Sequence, residues 1–569
     1  MVTFETLPNE ILLECFDYLN APDIFYSFGQ LNYRFKQLLE NISLHFDCRY
    51  ISKSVFDQFC ILILLNPAIK KQIYSLILSN NPTCHQIQTF LSFFSFNEFS
   101  SLRSLILVEI DKDDNNKLKF ILPYLSNLRY IHLIKPNDKL KSELNDSLPL
   151  LFQITSLITH LTLSDSSCCD LSHLFEYAPM LKYVNCRNVS CFSRWSDRFS
   201  NFSNYCAVHL NKLILTAFFG PFEYIEMLMK QTPNLKTLMI SSIVNNDIID
   251  AFRWQNLITS VLPQLTVFKF SFEFIYYNND KITIFDKYQA FQSDFWLKTH
   301  RWYTEYSYEE DKAKIYTIPF ASFPFTLPTY ITTVCCDNIP KNLNKFNNVK
   351  NLTIYYLDIQ NEYKYYFRNI TSLTLNLSYT GQIQNIQSLE TIVNLSNLVF
   401  LNAAQTPQIH ISSLLLNILS KARKLSELCI SSQHISFVFK NTKLCKYLTE
   451  RIKNLCICSY PTCFINADVT IEFCKVFSNL KHLTISIKQT NYVLILLERL
   501  LKLLTIKVCF DIFDNPIDLS SLESELRKRN ARFRTGHTTR DYENDGTTSH
   551  DTHICIWIDN KYPRITEKL

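Results

Sequence analysis

The sequence predicts an α/β protein in which a degenerate repeat builds a solenoid, preceded by a short unit of three helices. Three observations indicate this. An apolar pattern, Leu-x-x-Leu-x-Leu with Ile, Val or Phe allowed, recurs through the middle of the 569 residues. Residues 1–45 instead space their apolar residues three and four apart, as amphipathic helices do. Apolar residues make up 47% of the chain, enough for a large core or for several smaller ones.

Residues 1–45 contain three short helical segments. In the first, Pro8 suits the opening turn of a helix, where its missing N–H costs nothing. One apolar face follows, made of Ile11, Leu12, Cys15, Phe16 and Leu19. Residues 20–23 break this helix, and two more short helices can follow by residue 39. Because three such helices bury little surface alone, we expect them to rest on a partner or on the rest of the chain.

This segment resembles an F-box. The matching features are Leu7-Pro8, Glu10, Ile11, Phe16, Leu19, Asp23, Leu31-Asn32, Phe35 and Leu38. Many F-boxes carry a tryptophan in the third helix, where this chain has Phe35. The resemblance implies docking onto a Skp-type adaptor, and through it onto the cullin scaffold of a ubiquitin ligase. The implied adaptor-binding residues are Leu7, Pro8, Glu10, Ile11, Leu12, Phe16, Leu19, Leu31 and Phe35. The alternative is a helical cap that shields the first repeat.

The middle of the chain, about 50–510, resembles a leucine-rich repeat. The pattern begins at Leu102, Leu128, Ile158, Leu181, Leu210, Leu235, Leu265, Val349, Ile370, Leu398, Leu425, Ile452, Leu480 and, more weakly, Leu501. Outside the gap from Leu265 to Val349, the starts recur every 21 to 30 residues. That period indicates one strand and one helix or turn per unit, stacked into a horseshoe. The Asn or Cys common three residues after the last leucine is missing, since Ile110, Val189 and Phe218 stand there, so the repeats are degenerate.

The pattern divides the chain into five parts. They are the F-box-like unit at 1–45, repeats at 50–270, an aromatic insertion at 271–345, repeats at 346–510 and a C-terminal cap at 511–569. In the insertion, an alternating residue pattern on either side of residues 309–312 predicts a β-hairpin. This hairpin either projects from the solenoid or extends its sheet. Its aromatic residues form a binding element or simply pack. In the cap, residues 529–551 are polar and predict a loop, and residues 553–558 predict a last strand.

Composition argues against several classes of function. Only five glycines occur, and they are too far apart for a phosphate-binding loop or a GxSxG nucleophile elbow. Nucleotide-binding enzymes of the common kinds are therefore disfavoured. No catalytic constellation stands out either, and the F-box resemblance implies a receptor subunit that is not an enzyme and needs no cofactor. The net charge of +5 is spread along the chain, which disfavours a nucleic-acid partner. No apolar window predicts a membrane span, and no basic region precedes the first apolar run as in a secretory signal. The 19 scattered cysteines then indicate reduced thiols and a cytoplasmic or nuclear location.

No motif predicts a metal site. Cys456, Cys458 and Cys463, with His434 and Cys474 flanking, invite a zinc interpretation, but their spacing is not that of paired CxxC motifs. Small-apolar packing of these thiols is the better expectation.

The outward face of the repeat strands is therefore the candidate binding surface. Basic and aromatic residues there suit a protein partner of acidic character. The candidate substrate-binding residues are Tyr130, His160, Lys182, Tyr183, Lys212, Lys236 and Lys269. The alternative is that strands favour Tyr and that lysines merely solvate strand edges. The two resemblances together imply the substrate receptor of an SCF-type (Skp–cullin–F-box) E3 ubiquitin ligase with an unknown protein substrate. The alternative function is a repeat scaffold without any link to ubiquitin.

Overall fold

The computed structural model describes residues 4–81, 83–110, 125, 127–134, 157–190, 202–243, 246–275, 281–308, 312–327, 332–335, 343–355, 365–377, 389–458, 467–487, 489–510, 519–529, 531–541 and 548–558. These residues form a mixed α/β protein with parallel sheets and many helices. The chain divides into two compact units, with the boundary between Phe268 and Lys269.

The three predicted N-terminal helices are confirmed. They are α1 (Asn9–Phe16), α2 (Ala21–Phe28) and α3 (Tyr33–Leu39). Pro8 directly precedes α1, and Asn32 caps α3 by accepting a hydrogen bond from the Phe35 N–H at 3.1 Å. Phe16, Phe28 and Phe35 pack together between the helices, with ring centroids 5.1 Å apart for Phe16–Phe28 and 5.7 Å apart for Phe28–Phe35. Phe35 is therefore a core residue of this helical unit.

A parallel sheet runs through the rest of the first unit. Its strands are β1 (Leu44–Asp47), β2 (Ile73–Ser79), β3 (Ser104–Val108), β4 (Tyr130–Ile134), β5 (His160–Ser167), β6 (Tyr183–Ser190), β7 (Lys212–Phe219) and β8 (Thr237–Ile243). Each strand pairs with the next one along the chain. Between them lie α4 (Lys53–Leu65) and the helices Ala68–Gln72, Gln86–Phe93, Cys168–Tyr177, Phe222–Lys230 and Ala251–Val261.

The register of this sheet explains the apolar repeat. The middle leucine position of each repeat lies opposite the same position of the next, as a buried row of Leu76, Leu105, Ile131, Leu161, Val184, Leu213 and Leu238. The first leucine of a repeat ends the preceding turn, since the N–H of Leu102, for example, donates to the Phe99 carbonyl at 3.1 Å. Where many leucine-rich repeats carry Asn, Ile110, Val189 and Phe218 are buried instead. Apolar packing replaces a polar ladder at these places.

The second unit begins with an antiparallel sheet. Its strands are β9 (Val267–Ile275, in this unit from Lys269 onward), β10 (Tyr303–Tyr308), β11 (Lys312–Ile318) and β13 (Thr332–Cys335), and the helix Lys281–Ala290 follows β9. The β10–β11 pairing confirms the predicted hairpin. Because β11 also pairs with β9, and β10 with β13, the hairpin lies within a sheet rather than projecting from one. Trp302, Tyr306 and Tyr316 are buried, so these aromatic residues are core.

A second parallel sheet follows. Its strands are β12 (Phe325–Leu327), β14 (Asn351–Ile354), β15 (Ser372–Leu375), β16 (Phe400–Asn402), β17 (Glu427–Ser431), β18 (Asn454–Cys458), β19 (His482–Ser486) and β20 (Thr505–Phe510). The helices of this part are Leu389–Ile392, Gln408–Lys421, Ile435–Phe439, Thr442–Arg451, Ala467–Val476, Thr490–Arg499 and Ser520–Lys528. The buried row continues here as Leu352, Leu373, Leu401, Leu428, Leu455, Leu483 and Ile506.

The C-terminal part corrects one expectation. The segment 529–551 was expected to be a loop, yet β21 (Arg532–Asp541) and β22 (Thr548–Trp557) form an antiparallel pair. β22 contains most of the predicted last strand and pairs with β20. β21 pairs with the other edge of β22. The Arg532 guanidinium lies 5.6 Å from the centroid of the Trp557 ring. A polar strand held by its neighbour's backbone shows no apolar alternation of its own.

Candidate protein-binding surfaces

The N-terminal helices present part of the predicted adaptor-binding set to solvent. Ile11 and Leu31 are 43% and 47% exposed. Pro8 and Glu10 are also exposed, and Leu7 and Leu19 are half-buried.

The structure corrects the role of the other three residues in that set. Leu12, Phe16 and Phe35 are between 0% and 2% exposed, because they form the core of the helical unit. They hold the surface in shape and offer a partner no area of their own.

Arg34 connects the segment before α1 to the start of α3. Its guanidinium donates to the Leu7 carbonyl at 2.5 Å, to the Glu5 carbonyl at 2.6 Å and to Asn9 Oδ1 at 2.6 and 2.8 Å. These bonds fasten the chain before α1 to the first turn of α3, three residues after Leu31. This role of Arg34 could not be predicted from the sequence, because nothing in a lone arginine indicates which distant carbonyls it reaches.

The same helices are also attached to the start of the sheet. Asn20 and Asp47 bond reciprocally, since Asn20 Nδ2 donates to the Asp47 carbonyl at 2.7 Å and the Asp47 N–H donates to Asn20 Oδ1 at 2.8 Å. Phe25 of α2 packs against Phe59 of α4 with ring centroids 6.0 Å apart. Gln72 Nε2 donates to the Leu39 carbonyl at 2.7 Å. These contacts attach the helical unit to β1 and to the helices that follow it, while Ile11 and Leu31 remain exposed.

Four predicted substrate-binding residues meet in one row on the first sheet. Tyr130, His160, Tyr183 and Lys212 are register partners on β4, β5, β6 and β7, and we call them the Tyr130 row. The ring of Tyr130 stacks on that of His160 at a centroid distance of 4.4 Å, and His160 stacks on Tyr183 at 5.7 Å. Lys212 Nζ lies 5.4 Å from the Tyr183 centroid, within the range of a cation–π contact.

Lys182 and Lys236 flank this row at the strand starts. Both side chains are exposed. The Lys182 carbonyl accepts from the N–H groups of Asn211 and Lys212 at 3.0 and 3.1 Å, so the backbone under this side chain is fixed. Burial, and then the charge of Lys182, lower the pKa of His160, which favours the neutral imidazole. The positive charge of this surface is therefore that of its lysines.

Lys269 is not part of that group, since it belongs to the second unit. It is half-buried, and desolvation lowers the pKa of its ammonium from 10.5 to about 8. His482, on β19, is also buried. It is 8% exposed and its Nδ1 lies 2.8 Å from Thr505 Oγ1.

Of the residues considered for zinc, Cys456 and Cys458 lie together, and a thiol from the neighbouring strand joins them. His434 bonds to the Ser431 N–H and the Thr406 carbonyl, and Cys463 lies outside the described residues. Cys429, on the neighbouring strand, instead lies beside Cys456 and Cys458. The sequence could not indicate this, because the contact depends on the register of β17 against β18.

Among the helices that the structure describes, none combines the length and apolarity needed to cross a bilayer.

No protein-family model matches the chain, and no curated protein matches it. Among solved structures, a chain from the crystal structure of the Rad7 and Elc1 complex in yeast is similar at 14% sequence identity, covering 81% of this chain and 87% of that one. The TM-score is 0.27, too low to establish a common fold.

Proposed function

We propose that this chain is the substrate-recognition subunit of an SCF-type E3 ubiquitin ligase, with an N-terminal F-box and a leucine-rich-repeat region. The observation that supports it most is the state of the F-box-like segment. That segment forms three helices which bury Leu12, Phe16 and Phe35 but leave Ile11 and Leu31 exposed. Exposed apolar side chains on a small helical unit are typical of a docking surface.

The adaptor would bind over these exposed apolar side chains. Phe4 and Leu13 of the same segment are also more than a third exposed, at 41% and 37%. Truncating one well-buried apolar anchor of an interface often costs about 2–4 kcal/mol of binding free energy. A Skp-type adaptor that covers Ile11 and Leu31 would thus gain much of its affinity from these two side chains.

The repeats would hold the substrate. The in-register rows of buried leucines support their assignment as degenerate leucine-rich repeats, each contributing one strand. The Tyr130 row with Lys182 and Lys236 offers stacked rings and unneutralised charge, which suits an acidic protein segment. In this proposal the chain performs no chemistry, needs no cofactor and acts in the cytoplasm or nucleus. The cullin-bound partner enzymes carry the ubiquitin.

A second function is favoured by one observation. The reciprocal Asn20–Asp47 bonds and the Phe25–Phe59 contact attach the helices to the sheet, as a cap would be attached. In that case the protein is a repeat scaffold without a ubiquitin link.

Co-purification with a Skp-type adaptor and its cullin tests the proposal. The full chain should retain both, and Ile11→Asp should lose them. Leu65→Asp is the matched control, because Leu65 is an apolar residue of α4 that is 74% exposed but lies outside the F-box-like segment. Loss of both proteins from the Leu65→Asp variant, or retention by Ile11→Asp, contradicts the proposal.

A further inference from the structure

Three thiols lie together on one face of the second parallel sheet. Cys456 and Cys458 are two residues apart on β18, so they point to the same side of the sheet, while Leu455 and Ile457 point into the core. Cys429 is the register partner of Cys456 on β17. The sheet therefore delivers three sulfur atoms to one spot from two strands.

The spacing of these sulfur atoms is that of a metal-thiolate site. Cys429 Sγ lies 3.4 Å from Cys458 Sγ, Cys456 Sγ lies 3.8 Å from Cys458 Sγ, and all three atoms are within 4.8 Å of one another. A tetrahedral zinc ion with Zn–S bonds of about 2.3 Å holds its sulfur ligands about 3.8 Å apart. A cation can thus be placed at bonding distance from all three without moving either strand.

The three cysteines differ in solvent exposure. Cys429 is buried, Cys456 is half-buried and Cys458 is exposed. A bound cation would therefore be held by protein on one side and meet solvent on the other. Three protein ligands and one solvent position are a common arrangement for zinc.

Three thiolates this close together would repel one another, and a cation between them would remove that repulsion. Hydrogen bonds with Cys456 and Cys458, and then burial, raise the pKa of Cys429. For Cys456, the hydrogen bond with Cys429 lowers the pKa, but the hydrogen bond with Cys458 and burial outweigh it and raise the pKa to about 12. Without a cation, Cys429 and Cys456 therefore stay protonated at neutral pH. A cation at the centre stabilises the thiolates, and each thiol that binds releases its proton to solvent.

We propose that Cys429, Cys456 and Cys458 form a binding site for a thiophilic d¹⁰ cation, with Zn²⁺ held by three thiolates and one solvent ligand. This site is independent of the proposed adaptor docking, since it lies in the other compact unit.

Zinc titration of the full chain, under a non-chelating reductant and in competition with a chromophoric chelator, tests this site. We expect one tightly bound Zn²⁺ per chain, with affinity that falls as the pH is lowered. Cobalt in place of zinc should give thiolate-to-metal charge-transfer absorption. Cys458→Ser should weaken zinc binding by about a hundredfold or more, since even changes beyond the ligands cost about 10–100-fold. Cys458 is exposed, so this variant should keep the fold.

Cys445→Ser is the matched control, because Cys445 is a half-buried thiol of the same unit outside the cluster. It should bind zinc as the unmodified chain does. Absence of stoichiometric zinc binding, or binding that survives both Cys456→Ser and Cys458→Ser, overturns the site. A Cys429–Cys458 disulfide, found by peptide mapping in a chain that takes up no zinc after reduction, overturns it as well. Adaptor binding should be the same in all these variants, so failure here leaves the proposed function untouched.

Discussion

Glu305 is a buried carboxylate in the middle of the aromatic hairpin. Its side chain is fully buried, and its two oxygens have separate partners. Oε1 accepts from the hydroxyls of Tyr316 at 2.8 Å and Tyr365 at 2.6 Å, and Oε2 accepts from Lys345 Nζ at 2.7 Å. Burial, and then the nearby Glu305, raise the pKa of Tyr316, so its hydroxyl stays a donor. Glu305 therefore joins β10 to β11 and to residues further along the second unit.

Glu305→Ala should destabilise the protein by about 3–5 kcal/mol, because it leaves two buried hydroxyls and a half-buried ammonium without their acceptor. Urea denaturation of the full chain measures this. Glu273→Ala is the control, since Glu273 faces Lys314 at 3.8 Å in a more exposed pair of the same sheet. Such pairs contribute about 0–1 kcal/mol. An equal loss of unfolding free energy in the two variants would contradict a stabilising role of the Glu305 network.

His482 predicts a dependence of stability on pH. Burial, and then the charge of Lys481, lower its pKa from 6.5 to about 4 in the folded chain. Between these values the unfolded chain binds a proton that the folded chain does not, so stability falls as the pH drops from 6.5 to about 4. At about 1.4 kcal/mol per pKa unit, the loss is about 3 kcal/mol.

Thermal unfolding at pH 7 and pH 4.5 measures the effect. His482→Asn keeps a polar group near Thr505 but does not titrate, so its loss of melting temperature over this range should be smaller than that of the unmodified chain. An identical loss in both would contradict the assignment.

At the scale of secondary-structure elements, strands with an inward leucine pattern could be predicted and others could not. The pattern is local, so β3 and β14 fall where the apolar alternation puts them. β1 is only four residues long, and β21 is polar and held by its neighbour, so neither carries a repeat signal. The segment expected to be an insertion also contains β12, which pairs in parallel with β14 and so starts the second parallel sheet.

The candidate sites show the same limit. The Tyr130 row could be predicted, because each member occupies the same position of its repeat. The Cys429 contact and the Arg34 bonds could not, because they join residues about 25 to 30 positions apart through register and side-chain reach.

The Tyr130 row and its flanking lysines predict an electrostatic contribution to substrate binding. Reversing three charges together, Lys182→Glu, Lys212→Glu and Lys236→Glu, should remove most captured partners and reduce the salt dependence of the rest, because like charges then face an acidic segment. Folding should be unchanged, since none of the three side chains is part of the core. Proximity labelling by the full chain in cells measures the set of partners.

A triple reversal at Lys440, Lys443 and Lys475 provides the control. These lysines are exposed on helices or just after one, and their reversal changes the net charge by the same amount. If both triple variants lose the same partners, the net charge of the protein decides binding. If neither loses any, the substrate surface lies elsewhere.

At the scale of the whole molecule, the proposed function divides the work between the two ends of the first unit. Helices that expose Ile11 and Leu31 would bind the adaptor, and the strands that carry the Tyr130 row would bind the substrate. Arg34 fixes the adaptor surface, and the Asn20–Asp47 bonds fix that surface to β1. A substrate held on the sheet would therefore have a defined position relative to the adaptor.

A calorimetric titration of the full chain with purified Skp-type adaptor tests the central claim most directly, comparing the unmodified protein with a Leu7→Ala, Pro8→Ala double variant. Leu7 is half-buried before α1, and Pro8 fixes the direction in which the chain enters that helix. Losing an apolar anchor at about 2–4 kcal/mol, with about 1.4 kcal/mol per tenfold change, predicts affinity weakened by about a hundredfold or more. The melting temperature should stay within a few degrees of the unmodified value, because neither residue belongs to the sheet core. Unchanged adaptor affinity together with early unfolding of the whole protein would contradict the account, and residues 1–45 would then be a cap of the repeats.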